Sequence, residues 1–280
     1  MHRPVRHLAR CLDPVHIGAG GYQLGRVDMT VVREPSTGIP KIPGTSLAGA
    51  IRAYAEMAKE EDPSLPDIRI VFGDGGSESR QGMLRFYDAD VVLFPILSDQ
   101  GTVWISTAER LKNWLYPENE INTALNDDKV VIVKGQFNAK AVNLGWLMLE
   151  VDSTSRPVLP EKTGLDFLTR LVLVSDKLFH HLVNDNLEVR TSVQIDDETG
   201  AAKSGALFTY EAIPRGTLLG FEVAIDDRRA NGIQDQAVRG LLKKAFGGLK
   251  VLGIGGMGTR GFGRIEVLYE NGTLTNDEKS

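Results

Sequence analysis

The sequence predicts an α+β fold, and three observations carry that reading. Strand-like and helix-like runs are mixed rather than regularly alternating, the returns between strands are short, and one long hairpin stands out at 186–214. A doubly wound parallel sheet would need a crossover helix after each strand.

In chain order, "VRHLARCLDPVHIGAGG" reads as a strand running into a glycine-rich loop. "GRVDMTVVREPSTGIPKIPG" gives a short strand at 30–33 and a turn at "EPSTG". A helix is expected from Ser46, after the turn pair Pro43 and Gly44, with Thr45 or Ser46 as its cap. Its apolar rhythm is Leu47, Ile51, Tyr54 and Ala58, and it should stop before Pro63. Residues 62–84 read as an insertion with a polar, Gly/Ser-rich loop. "LFPILSDQGTVWISTAERLKNWL" reads as one strand and then a helix. Residues 116–165 lack periodicity and carry many Asn, Asp and Pro, so they read as surface insertions rather than a second core.

The hairpin is the clearest element. Alternating runs at 189–195 and 206–211 flank a polar tip at 196–205. "GTLLGFEVAID" is a buried strand, and "DQAVRGLLKKAFGGL" is an amphipathic helix with a stop at Gly247 and Gly248. "KVLGIGGMGTRGFGRIEVLYE" reads as strand, glycine-rich loop, strand, and 271–280 as a polar tail that frays. Residues 1–280 are taken as one domain.

Composition narrows the function classes. With 42% hydrophobic and 25% charged residues the chain is ordinary for a globular protein. Cys11 is the single cysteine, which excludes a disulfide framework and a cysteine zinc site and fits a cytoplasmic setting. No apolar run is long enough to cross a bilayer, so no membrane role is expected. Net charge is −5, yet residues 1–55 hold seven Lys/Arg against three acids. That segment is +4 and the remainder −9, so a local basic surface can still attract a polyanion.

"GIGGMG" at 253–258 matches the dinucleotide-binding spacing literally, but "TRGFGRIEV" follows where a helix should open. A nucleotide cofactor is therefore rejected. Gly255 and Gly256, with Arg260 beside them, read as a backbone surface that a phosphate chain can approach. The start of the helix near Lys41, Thr45, Ser46 and Arg52 offers unpaired N–H groups and partial positive charge to an anion. Asp28, His16 and Glu211 are the candidate catalytic groups. A lone Asp at a strand start is usually a turn former or salt-bridge partner, and His16 can be a plain loop residue. H-E-x-x-H and H-x-x-E-H patterns are absent, so nothing points to a tightly held metal.

Together these segments resemble the RAMP superfamily of CRISPR proteins. "PVHIGAGGYQLGRVDMTVVREPSTGIPKIPGTSLAGAIRAY" looks like its N-terminal signature, more narrowly that of the backbone subunit of type III-B Cmr effector complexes. "RLVLVSD", "ALFTYEAIPRGTL" and "GIGGMGTRGFGRIEV" look like it as well, whereas 100–165 carries little of the likeness. The resemblance implies a ferredoxin-like palm with a hairpin thumb at 186–214. It implies copies of the chain stacked along a guide RNA beside other Cmr-type subunits. It also implies cleavage of complementary target RNA at six-nucleotide intervals, with Asp28 holding a weakly bound Mg²⁺ or Mn²⁺, and His16 and Glu211 supporting it. Guide phosphates would lie at Lys41, Thr45, Ser46 and Arg52. Family members often carry Lys where this chain has Leu47 and Ala48, so Arg80 or Arg260 would supply the missing contact. A non-catalytic scaffold and a stand-alone guide-processing ribonuclease of the same superfamily are the alternatives.

Overall fold

Strand β1 (Val5–Cys11) and helix α1 (Gly44–Glu61) begin a βαββαβ path whose order in space explains where the core sits. The computed structural model describes residues 4–20, 27–74, 80–117, 119, 121, 125–137, 140–153, 157, 159, 160, 164–195, 202–270, 273 and 274. Between β1 and α1 lies β2 (Lys41–Ile42); after α1 come α2 (Ile68–Phe72), β3 (Gly73–Asp74), β4 (Arg80–Gln81) and β5 (Leu84–Phe86). Next are β6 (Ala89–Ser98), β7 (Gly101–Ser106), α3 (Ala108–Trp114), β8 (Lys129–Lys134), β9 (Ala141–Leu144) and β10 (Leu147–Asp152). The chain continues through β11 (Leu171–Leu173), α4 (Asp176–Asp185), β12 (Glu188–Ile195), β13 (Ala202–Ala212) and β14 (Leu218–Ile225). It closes with α5 (Asp235–Val251), β15 (Ile265–Glu270) and β16 (Thr273–Leu274).

The strands β15, β1, β14 and β6 lie side by side in that order, each neighbouring pair antiparallel. With α1 after β1 and α5 after β14, this is the ferredoxin-like arrangement of an α+β palm. Both helices bury an apolar stripe, Leu47, Ile51 and Ala55 on α1 and Val238, Leu241, Leu242, Ala245 and Leu249 on α5. Strand β6 is apolar at successive positions because it is covered on both faces: Val91 and Phe94 join the core under the helices, Val92 and Leu93 a second core with Trp104, Leu111 and Leu171.

Several expectations change. "LFPILSDQGTVWIS" forms two antiparallel strands, β6 and β7, turning at Asp99–Gly101 in the place of one. The stretch 116–165 supplies β8, β9 and β10, which extend the palm sheet through β7 and β11. Their Val130, Val131, Val142, Leu144 and Leu149 are buried, so this stretch adds core as well as surface. Residues 30–33 make isolated bridges, Gly18 to Val31 and Arg33 to Pro40, rather than a strand.

Helix α5 runs through Gly247 and Gly248 to Val251. A Cβ on Gly248 would overlap the Tyr54 ring of α1, so this glycine serves close helix packing and not a stop. Strands β12 and β13 form the expected hairpin, Glu188 opposite Ala212 through Val193 opposite Leu207, while tip residues 196–201 lie outside the described residues. Most of the 271–280 tail also lies outside them, apart from β16 pairing with β15. Among the described residues no helix is long and apolar enough to cross a membrane.

Candidate nucleic-acid interface and cleavage site

The root of the hairpin gathers the three candidate catalytic residues. Met29 bridges Tyr210 in parallel, its N–H donating to the Thr209 carbonyl and its own carbonyl accepting from Glu211 N–H. This places Asp28 against Thr209: Asp28 Oδ2 accepts from the Thr209 N–H at 2.7 Å and from its hydroxyl at 3.0 Å. Asp28 N–H donates back to Thr209 Oγ1 at 3.1 Å. The Thr209 N–H, and then its hydroxyl, hold the Asp28 carboxyl below the usual carboxylate range, so it is ionised at neutral pH.

Glu211 is differently placed. Its Oε2 accepts from Arg33 Nη2 at 2.9 Å and from the Val31 N–H at 3.4 Å, and its side chain is 13% exposed. Arg33 also donates to Asn184 Oδ1 and to the Val31 carbonyl, which ties the loop before α1 to α4 and to the hairpin. His16 is buried, with Nδ1 2.6 Å from the Glu211 carbonyl. A carbonyl only accepts, so Nδ1 carries the proton. Asp28, Glu211 and His16 thus converge on two residues of β13, with Asp28 the most open of them.

The glycine-rich loop packs on the protein's own backbone. Gly256 N–H donates to the His16 carbonyl at 3.0 Å, and a Cβ on Gly255, whose φ is 87°, would collide with that same oxygen. This is the reason for glycine at 255. Further along the loop the backbone is open, for a Cβ on Gly258 or Gly261 would meet nothing within 4 Å. Arg260 is exposed there, over the Phe208 ring at 5.6 Å and 3.4 Å from Ser192 Oγ of the hairpin. Phe208, Tyr210 and Phe262 form a small aromatic cluster on this side.

The start of α1 also differs from expectation. Neither Thr45 nor Ser46 caps it; Pro43 is the N-cap. The Gly44 N–H instead donates to Asp88 Oδ1 at 2.8 Å. Lys41 lies between Glu34 at 2.7 Å and Asp88 at 2.6 Å, with 15% of its side chain exposed. Burial would raise the Asp88 carboxyl, but the Lys41 ammonium and the Gly44 N–H outweigh it and hold it low. The hydrogen bonds that Lys41 donates to Asp88 and Glu34 push its pKa up. Arg52 pairs with Glu56 at 2.9 Å and donates to the Gly73 carbonyl, and Arg80 is exposed in β4. The eight expected RNA contacts therefore fall into three groups: the helix start, the Arg52 and Arg80 region, and the glycine-rich loop. Thr209, Arg33 and Asp88 were missed, because only their distant partners give them meaning.

Among the described residues no three His, Cys, Asp or Glu side chains come together as a metal cluster. Asp28 offers one carboxylate, enough for a cation whose other ligands are water and phosphate oxygens, as Mg²⁺ commonly is bound.

Comparison with known proteins places the chain. It is 26% identical over 229 residues, covering 74% of this chain and 76% of the relative, to the CRISPR system Cmr endoribonuclease Cmr4 of Pyrococcus furiosus. Its fold matches a type III-B Cmr-beta cryo-EM structure bound to cognate target RNA, with TM-score 0.71 and 18% identity over 95% of this chain and 96% of the other. It matches the oligomeric Cmr4 crystal structure from Pyrococcus furiosus with TM-score 0.63 and 19% identity over 96% and 98%. The sequence model of the RAMP superfamily matches residues 8–266, and the chain belongs to that superfamily.

Proposed function

We propose that the chain is a guide-RNA-binding backbone subunit of a type III-B CRISPR effector complex that cleaves complementary target RNA at the hairpin root. The observation that carries this is the Asp28 carboxylate, ionised and fixed on Thr209 at the root of the β12–β13 hairpin. The relative named as a Cmr endoribonuclease and the neighbour structure holding target RNA support it. Copies of the chain, repeated along one guide, would set six-nucleotide spacing between cuts.

In the proposed reaction the 2′-OH of a splayed target nucleotide attacks its own 3′-phosphate. An O2′–P bond forms, the P–O5′ bond breaks, the 2′ proton departs and the 5′ oxygen gains one. The products are a 2′,3′-cyclic phosphate and a 5′-OH. The hairpin's role is to hold the strand so that the 2′ oxygen lies in line, which supplies much of the acceleration. Asp28 keeps negative charge beside that phosphate, where Mg²⁺ or Mn²⁺ would offset charge developing on phosphorus. His16 and Glu211 position the hairpin root rather than move protons, through the Nδ1 contact to the Glu211 carbonyl and the Arg33 pair.

The test is single-turnover cleavage of a complementary RNA by the assembled complex. Asp28→Asn keeps an oxygen for Thr209 and should cut at least about 100-fold more slowly, with guide and target binding unchanged. EDTA should have the same effect on the wild type. Wild-type rates from Asp28→Asn, or cleavage that survives chelation, would leave a scaffold role.

A further inference from the structure

The start of α1 is electrostatically closed in this chain. Asp88 takes the Gly44 N–H, and Asp88 and Glu34 bracket Lys41, two carboxylates against one ammonium. The positive charge that could hold a polyanion lies elsewhere, in an open cleft of about 430 Å³ lined by Arg52, Arg80, Arg85, Gln81, Asp74 and Phe72.

The floor of this cleft is a crossing of two glycines. A Cβ on Gly82 would collide with the backbone of Phe72 and Gly73, and one on Gly73 would lie 2.8 Å from the Arg80 carbonyl. Gly73 also has φ 96°, which an L side chain rarely adopts. Each glycine presents its carbonyl to an arginine: Gly73 O accepts from Arg52 Nη1 at 3.0 Å, Gly82 O from Arg85 Nη1 at 2.8 Å. Arg85 spends its other bonds on the Leu84 carbonyl and Gln81 Oε1. Neutral acceptors orient its guanidinium without cancelling its charge. Arg80 makes no ion pair among the described residues. Among the described residues, three guanidiniums therefore face Asp74 and, on Arg52, the exposed Glu56. Fixed planar forks of this kind suit phosphate oxygens, and two of them lose little further freedom on binding.

We propose that this cleft, and not the start of α1, is a phosphate subsite for the backbone of a single RNA strand, gripped by Arg52, Arg80 and Arg85 without reading bases. The proposal rests on the reading that the chain binds RNA. It adds Arg85 to the interface and removes Lys41, Thr45 and Ser46 from direct phosphate contact.

The experiment is fluorescence anisotropy of the full chain with labelled poly(U) and poly(A) strands over a salt series. Arg80→Ala, at an exposed side chain that the fold does not need, should lower the slope of log K against log salt by about 0.7. Arg80→Ala with Arg85→Ala should lower it by about 1.4. Both strands should respond alike. A wild-type slope in both variants would overturn the cleft while leaving RNA binding intact. Wild-type protein with no salt-dependent affinity for either strand would overturn the RNA reading itself. A loss confined to one strand would mean base recognition and defeat the proposal. So would displacement of RNA by inorganic phosphate well beyond that by chloride at equal ionic strength, which marks a free-phosphate site.

Discussion

Asp28 and Thr209 are 181 positions apart and exchange three hydrogen bonds: Thr209 N–H and Oγ1–H to Asp28 Oδ2, and Asp28 N–H to Thr209 Oγ1. The threonine hydroxyl donates and accepts at once, so it fixes both the carboxylate and the backbone that carries it. Sequence gives no hint of the pair. Its consequence is that the orientation of the candidate catalytic group depends on the register of the hairpin.

Thr209→Val removes both hydroxyl bonds and keeps the Thr209 backbone N–H. Target cleavage by the assembled complex is expected to fall about 10-fold, the cost of a loosened carboxylate, at about 1.4 kcal/mol per factor of ten. Target affinity should stay at the wild-type value, and Thr209→Ser should restore the rate. An unchanged rate in Thr209→Val would separate Asp28 from its support.

A buried histidine makes stability depend on pH. His7 is 3% exposed, stacked on Phe221 at 5.0 Å and edge-on to Phe246, and its Nδ1 has no hydrogen-bond partner among the described residues. Burial, and then the nearby Arg239 charge, lower its pKa from 6.5 to about 4. The unfolded chain therefore binds a proton that the folded chain refuses. This contribution is intact above pH 6.5 and is lost as pH falls from 6.5 to about 4. Integrated over that window it amounts to about 3 kcal/mol. Urea unfolding at stepped pH should show the decline in the wild type and a shallower one in His7→Phe; equal slopes would refute it.

Gly248 is the contact point of α1 and α5. Gly248→Ala raises helix propensity by about 1 kcal/mol yet drives a methyl into the Tyr54 ring. Overpacking should win, with a net loss of about 1–2 kcal/mol in urea unfolding. Tyr54→Gly removes the Tyr54 Cβ as well as the ring and so makes room; the double variant should lose less than the sum of the two singles. A stabilised Gly248→Ala would return the glycine to its expected role as a stop signal.

The sequence by itself determined the class of this protein. Local rules sufficed for the α1 rhythm, the hairpin and the strand at "GTLLGFEVAID", because periodicity and turn chemistry act within a few residues. The joint motifs also sufficed for the family, matched over residues 8–266. Only the tertiary structure decided what depends on distant partners. It put β8, β9 and β10 into the sheet, where burial against β11 makes core of a stretch with no visible period. It carried α5 through Gly248, since the Tyr54 ring lies in another helix. It gave the Gly44 N–H at the start of α1 to Asp88, which is 44 positions away. And it joined Asp28 to Thr209, for a carboxylate becomes a fixed charge only when a second strand arrives to hold it.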